Sequence, residues 1–344
     1  MLRSRAMLLA LLASLLLQSS PRCDVTLRAD GNTAAIQAAL ERTDTPTICL
    51  KPGRYVGARF VATHSARLRR LGQGEVLLDA GGQGRVLTMP QAHVRLQLDG
   101  LTLTGGNAAE GGAIALTADA ELTLTDCVIR DNVATFRNGG GLWANAGRLV
   151  ALRTRWVHNQ AEAGAALALG GTARALVVAN LVTQHPALTT NGTPVHLAQS
   201  SALDVVSTTI AYNAGPCIAI APDLNEKPQL RVQDSLLLGA PDSFRIAQRQ
   251  AEAVDVQRSV VSGHVGFVSL DLASRRDPPQ LDALGTEKAM PALGSPAIDL
   301  ARCASADQRR DLRGAKRGKK CAAGALEPPN EIVAHTRWLR KHKK

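Results

Sequence analysis

Over 344 residues the chain carries a formal net charge of +11, 45% hydrophobic residues and only 3% aromatic ones. That length is ample for a sizeable core, but the core must be built from small and aliphatic side chains. The charge is uneven: thirteen Lys/Arg against four acids fall in residues 301–344, Arg3, Arg5 and Arg22 add three more, and residues 23–300 net −1, which argues against a broad nucleic-acid-binding face.

Residues 1–22 read as a signal peptide. Arg3 and Arg5 give the positive start, and AMLLALLASLLL (6–17) is the apolar stretch. It is too short to span a bilayer, which takes about 20 residues, and no later stretch qualifies as a transmembrane segment. The expected location is therefore exported: periplasmic, cell-surface or secreted. Export permits disulfides among the six cysteines, and no C-x-x-C pair suggests a thiolate zinc site.

Residues 23–59 form an expected N-terminal cap. In DGNTAAIQAALER (30–42) either Asn32 or Thr33 can cap a helix whose apolar stripe is Ala35, Ile36, Ala39 and Leu40. TICLKPGRYV follows as strand, Pro-Gly turn and strand, a lid on the first turn of what comes next.

Residues 60–290 repeat. TDCVIRDN (125–132), LRTRWVHN (152–159), VANLVTQH (178–185) and VSTTIAYN (206–213) recur at intervals of 27, 26 and 28 residues. A fixed period of this size signals a stacked repeat. Two-residue alternation marks strands. It puts Thr125, Leu152, Val178 and Val206 in one inward column, Cys127, Thr154, Asn180 and Thr208 in a second, and Ile129, Trp156, Val182 and Ile210 in a third. A second short strand follows in each repeat, GGLWAN (140–145) among them, and Trp143 is expected to face inward too. The reading is an all-β, right-handed parallel β-helix of about nine rungs with a short N-terminal capping helix. Asn107, Asn132, Asn159 and Asn213 fall at one corner as a structural turn ladder, since Asn accepts left-handed backbone. Asn107 opens the stretch GGNAAEGGAI, a corner and turn; no Gly-Lys-Ser/Thr follows to make it a phosphate cradle.

Rungs stack at about 4.8 Å. Cys127 and Cys217 lie about three rungs apart, too far for a bridge that needs Cα atoms within about 7 Å. Cys23–Cys49 and Cys303–Cys321 remain as staples, one at each cap. The C-terminal cap is expected over residues 291–327 and a basic tail over 328–344. That tail reads equally as a solvated end or as a contact for an anionic envelope.

DGNTAAIQAALE followed by TICLKPGRYV resembles the entry segment of secreted right-handed parallel β-helix proteins of the pectate-lyase-like superfamily. LDGLTLTGGNAAEGGAI and FRNGGGLW resemble the repeats of polymorphic outer-membrane proteins. GSPAIDLARC, ADQRRDLRG and CAAGALE resemble the closing segment of bacterial choice-of-anchor Q proteins, although the family's Asp-Gln-Arg-Gly is interrupted here by Arg310, Asp311, Leu312 and Arg313. The resemblance covers about residues 25–327. It implies an architecture more than an activity, because this fold carries lyases, hydrolases and adhesins alike.

The catalytic patterns of such enzymes are thin. Asp99, Asp126 and Asp131 do not stack into an acidic column that could hold calcium, and no clustered carboxylate pair suits glycoside hydrolysis. Adjacent rungs would set Asp131 near His158, with Arg130 and Arg155 beside them. A carboxylate–imidazole pair is suited to acid–base work near neutral pH, so Asp131, His158 and Arg155 are the catalytic candidates. No metal and no cofactor are expected. The sequence points to an exported β-helix with a binding or structural, adhesin-like role toward cell-envelope or extracellular carbohydrate. The alternative is a polysaccharide lyase or glycoside hydrolase with an atypical active site.

Overall fold

Leu122, Leu149, Ala175 and Leu203 sit one above another in register, each buried. Such columns make each turn of the chain cover the apolar side chains of the turn before it. In a computed structural model the chain is a right-handed parallel β-helix of about nine turns with a short N-terminal helix. The structure describes residues 22–29, 33–186, 192–221, 226–265, 268, 270, 274, 301–302, 310–313, 315–317 and 320–324.

One rung shows the plan. Glu121–Thr125 lies in a ten-stranded sheet, Val128–Arg130 in a nine-stranded sheet and Leu142–Ala144 in an eight-stranded sheet. The next rung opens at Arg148–Leu152, paired parallel with Glu121–Thr125. Inside runs one continuous apolar core of mostly aliphatic side chains, with Trp156 its largest buried member. Burying each Leu or Val there contributes about 1.5–3 kcal/mol.

Two corners per rung are made by single residues of left-handed backbone. The first column is Gly100, Asp126, Arg153, Ala179, Ser207, Asp234 and Arg258; the second is Gly105, Asp131, His158, Gln184 and Tyr212. From Gly100 through Tyr212 the two corners of a rung are always five residues apart. The first corner corrects one expected column. A left-handed residue interrupts the two-residue alternation, so parity changes across it. Leu124, Ala151, Val177 and Val205 point inward and are buried, whereas Thr125, Leu152 and Val206 stand half-exposed on the outside and Val178 shares their column. Beyond the corner the expected inward residues Cys127, Thr154, Asn180 and Thr208 are all buried, as are Ile129, Trp156, Val182 and Ile210.

The turn ladder also differs in mechanism. The left-handed residue is the one before each Asn; the Asn itself turns inward. Asn132 Oδ1 accepts the Gly106 N–H at 2.8 Å, Asn159 Oδ1 accepts the Asn132 N–H at 3.2 Å, and Asn213 Oδ1 accepts the His185 N–H at 3.1 Å. His185 holds the rung between, its Nδ1 accepting the Asn159 N–H at 3.1 Å. Asn107 is not part of this ladder. Gly106 occupies its place, and Asn107 is exposed, paired with Val133 one residue further on. Gly106 is obligatory there, because a Cβ would fall 2.1 Å from the Gly112 carbonyl oxygen.

A second polar ladder lines the first corner. The N–H groups of Asn180, Thr208 and Ser235 donate to the side-chain oxygens of Thr208, Ser235 and Ser259, at 3.2, 3.1 and 3.1 Å. Corner N–H groups that would otherwise be buried without partners are thus satisfied from rung to rung.

The ladders begin early: Val25–Leu27 and Thr47–Leu50 already belong to the ten-stranded sheet and Gly53–Val56 to the nine-stranded one. Helix α1 (Thr33–Leu40) buries Ile36, Ala39 and Leu40 at this end. Cys23 and Cys49 are bonded, with Cα atoms 5.6 Å apart. Cys127 and Cys217 are free and buried, and burial pushes both thiols up to about 12. Cys321 is disulfide-bonded; its expected partner Cys303 lies outside the described residues. Gly324 packs against the flank of the solenoid. The Gly324 N–H donates to the Asp234 carbonyl at 2.9 Å, and a Cβ on Gly324 would come within 2.6 Å of Thr209 Oγ1 and 2.8 Å of Leu236 Cδ1. Both contacted side chains face outward from the nine-stranded sheet yet are fully buried.

Candidate functional site

Asp131 and His158 occupy the second corner of adjacent rungs, and both project outward because left-handed backbone there turns the following Asn, not themselves, into the core. His158 Nδ1 lies 3.7 Å from Asp131 Oδ1, with side chains about half-exposed. Arg130 Nη1 donates to Asp131 Oδ2 at 2.9 Å and Arg130 Nη2 lies 3.5 Å from Glu75 Oε1. Thr102 Oγ1 donates to the same Glu75 oxygen at 2.8 Å. Burial alone would lower the Arg130 guanidinium's pKa, but its hydrogen bond to Asp131 and the charges of Glu75 and Asp131 prevail and raise it. Arg155 is half-buried beside Val128 on the adjacent rung, and Asp131's ion-pair partners are Arg130 and His158, not Arg155. Glu75 joins the group from more than 50 residues away, a contact no local pattern shows. The structure thus gathers Asp131, His158, Arg130 and Glu75 on an open surface. An exposed pair of this kind contributes about 0–1 kcal/mol and has little low-dielectric surrounding to sharpen proton transfer.

Two first-corner carboxylates are engaged with arginines. Asp126 receives a two-pronged contact from Arg153 at 2.7 and 3.0 Å, and Asp234, fully buried, one from Arg258 at 2.8 and 3.1 Å. Among the described residues no group of three or more His, Cys, Asp or Glu is placed to hold a metal ion. No described helix is long and apolar enough to cross a membrane.

A concavity of about 310 Å³ lies instead on the outer face of the eight-stranded sheet. Trp143 is part of it. The sequence expectation placed this indole inside; it stands between inward Leu142 and Ala144, so the strand's alternation turns it outward, and it is half-buried. Glu110, Arg137 and Asn138 line one side, and Asn145 and Gln199 the other. The first wall is held rigidly: Arg85 Nε donates to the Gly111 carbonyl at 2.8 Å, and its Nη2 to the Glu110 carbonyl at 2.6 Å. Burial lowers the Arg85 pKa, partly offset by the Glu110 charge. Phe136, 67% exposed, stands next to Arg137, whose guanidinium sits 5.5 Å from its ring centre. His196 also lines the concavity; burial and then the charge of Arg245 lower its pKa, favouring the neutral imidazole. An apolar ring facing solvent among amide and charged groups is the make-up of a site for a polar, ring-bearing ligand.

The fold thus defines a right-handed parallel β-helix with a concave outer face. No protein-family model, no curated protein and no solved structure matches the chain.

Proposed function

We propose that the protein is an exported β-helix that binds cell-envelope or extracellular carbohydrate on the outer face of its eight-stranded sheet, in an adhesin-like role. The observation that carries this reading is Trp143: a half-exposed indole in a concavity bordered by Asn138, Asn145, Gln199, Glu110 and Arg137. The apolar face of a pyranose stacks on such a ring while amides and charges meet its hydroxyls. The signal-like residues 1–22 and the disulfide chemistry support export. The entry, repeat and closing segments support kinship with polymorphic outer-membrane and choice-of-anchor Q proteins. The basic tail 328–344, outside the described residues, fits an additional contact with an anionic envelope. The test is a glycan array probed with the mature chain and with Trp143→Ala. Binding by the first and its loss in the second is the expected result; an array blank for both refutes the reading.

A second reading rests on the 3.7 Å approach of His158 to Asp131: a polysaccharide lyase or glycoside hydrolase working at that corner. It requires unsaturated or reducing sugar ends to appear when the mature chain meets a panel of polysaccharides. It also requires those ends to vanish with Asp131→Asn and His158→Ala; turnover that survives both changes rejects this site.

A further inference from the structure

Along six strands of the eight-stranded sheet, paired positions on the outer face alternate in size; Val61 and Thr88, on the two strands before them, stand outside the pattern. In register, rung by rung, they read Ala115, Trp143, Ala168, His196, Ala219 and Arg245. None of the three alanines belongs to the interior core, yet they are only 0%, 2% and 5% exposed. The chain's own turns supply part of that cover: a Cβ on Gly111 would come within 3.2 Å of the Ala115 Cβ, and one on Gly164 within 2.7 Å of the Ala168 Cβ. All three large groups are planar: an indole, an imidazole and a guanidinium. Two inter-strand steps separate each from the next, about 9.6 Å. The face therefore carries a row of planar side chains, or platforms, at a two-rung spacing, not a uniform groove.

We propose that the ligand of this face is an extended, two-fold glycan chain, of the β-1,4-linked pyranose type, lying along the solenoid axis. This rests on the carbohydrate reading above. In such a ribbon successive rings are flipped, so every second ring presents the same face at the same height. A platform at every second rung meets like faces of alternate rings. A chain coiling with three rings per turn does not keep that phase.

The test is calorimetric titration of the mature chain with β-1,4-linked oligomers of glucose and of N-acetylglucosamine, two to six rings long, against α-1,4-linked oligomers of glucose and of galacturonate. Affinity for the β series should rise in steps of two rings, each step about tenfold, the scale of one added ring-stacking contact. Trp143→Ala and His196→Ala should each remove one step, and Trp143→Phe should keep it. Thermal melts by circular dichroism identify any variant that is misfolded; Trp143→Phe and wild type then carry the comparison. If the α series binds as tightly, or affinity grows evenly with each ring while Trp143→Ala still abolishes binding, the platform spacing is refuted and the carbohydrate site stands. If no oligomer binds and the array is blank, the carbohydrate reading falls with it.

Discussion

Replacing His185 with Asn should raise stability in acid while preserving the fold. His185 fills the ladder position that Asn132, Asn159 and Asn213 hold in neighbouring rungs, and it is 2% exposed. Its Nδ1 accepts the Asn159 N–H and its Nε2 lies 3.1 Å from the Trp156 carbonyl oxygen, so the proton sits on Nε2 and the ring is neutral. Burial drives its pKa from 6.5 down to about 4, against smaller raising effects of the Asn159 and Trp156 carbonyl oxygens, each 3.1 Å from a ring nitrogen. The unfolded chain therefore binds a proton that the folded chain refuses between those values. Stability is complete above pH 6.5 and falls as pH drops through that window toward 4. At about 1.4 kcal/mol per unit, the loss from this one ring is about 3 kcal/mol. Asn supplies an acceptor and a donor in the same places, as Asn159 does with the Asn132 N–H and the Ile129 carbonyl, and it does not titrate. Urea midpoints of wild type and His185→Asn, measured from pH 7.5 to 4, should diverge as pH falls, with the variant losing about 3 kcal/mol less. Parallel pH dependences would refute the assignment of a neutral, buried imidazole to this rung.

Other outcomes follow from burial and charge. Arg258→Ala removes the guanidinium from the fully buried Asp234 carboxylate and should cost about 3 kcal/mol in chemical denaturation. Arg153→Ala, acting on the half-exposed Asp126, should cost under about 1 kcal/mol despite equally short contacts; equal costs would show that burial is not what separates them. Reducing Cys23–Cys49, or Cys23→Ser with Cys49→Ser, releases a crosslink spanning 26 residues, worth about 3 kcal/mol by loop closure. Hydrogen exchange should then rise first in Val25–Leu27 and α1 and leave the rungs around Trp156 protected.

The repeat was legible because Asn132, Asn159 and Asn213 share a corner at nearly constant spacing, and apolar alternation between corners survives in every copy. What escaped was parity. Nothing in Asp126, Arg153 or Ala179 announces left-handed backbone, and one such residue moves every side chain before it to the opposite face. Trp143 was misplaced because a lone Trp between Leu142 and Ala144 looks like core when its strand's inward positions are unknown. Asn107 drew attention as a residue type, when the ladder needed Gly106, the only side chain small enough beside Gly112. The gathering of Glu75 with Arg130, and the packing of Gly324 on Thr209 and Leu236, depend on contacts between distant parts of the chain that carry no local pattern. Of the candidate residues, the proximity of Asp131 and His158 was readable from the period alone; the concave face was not.

The fixed five-residue interval between the two corners has a consequence for descent. From Gly100 through Tyr212 the repeat length drifts, yet none of the drift falls between the corners. It is confined to the long excursion that leads to the eight-stranded sheet and back. Insertions and deletions can therefore accumulate beside the platform row while the inner ladders keep their phase. The scaffold is insulated from the region that meets solvent, so copies of a rung can diverge in what they recognise without renegotiating how they stack.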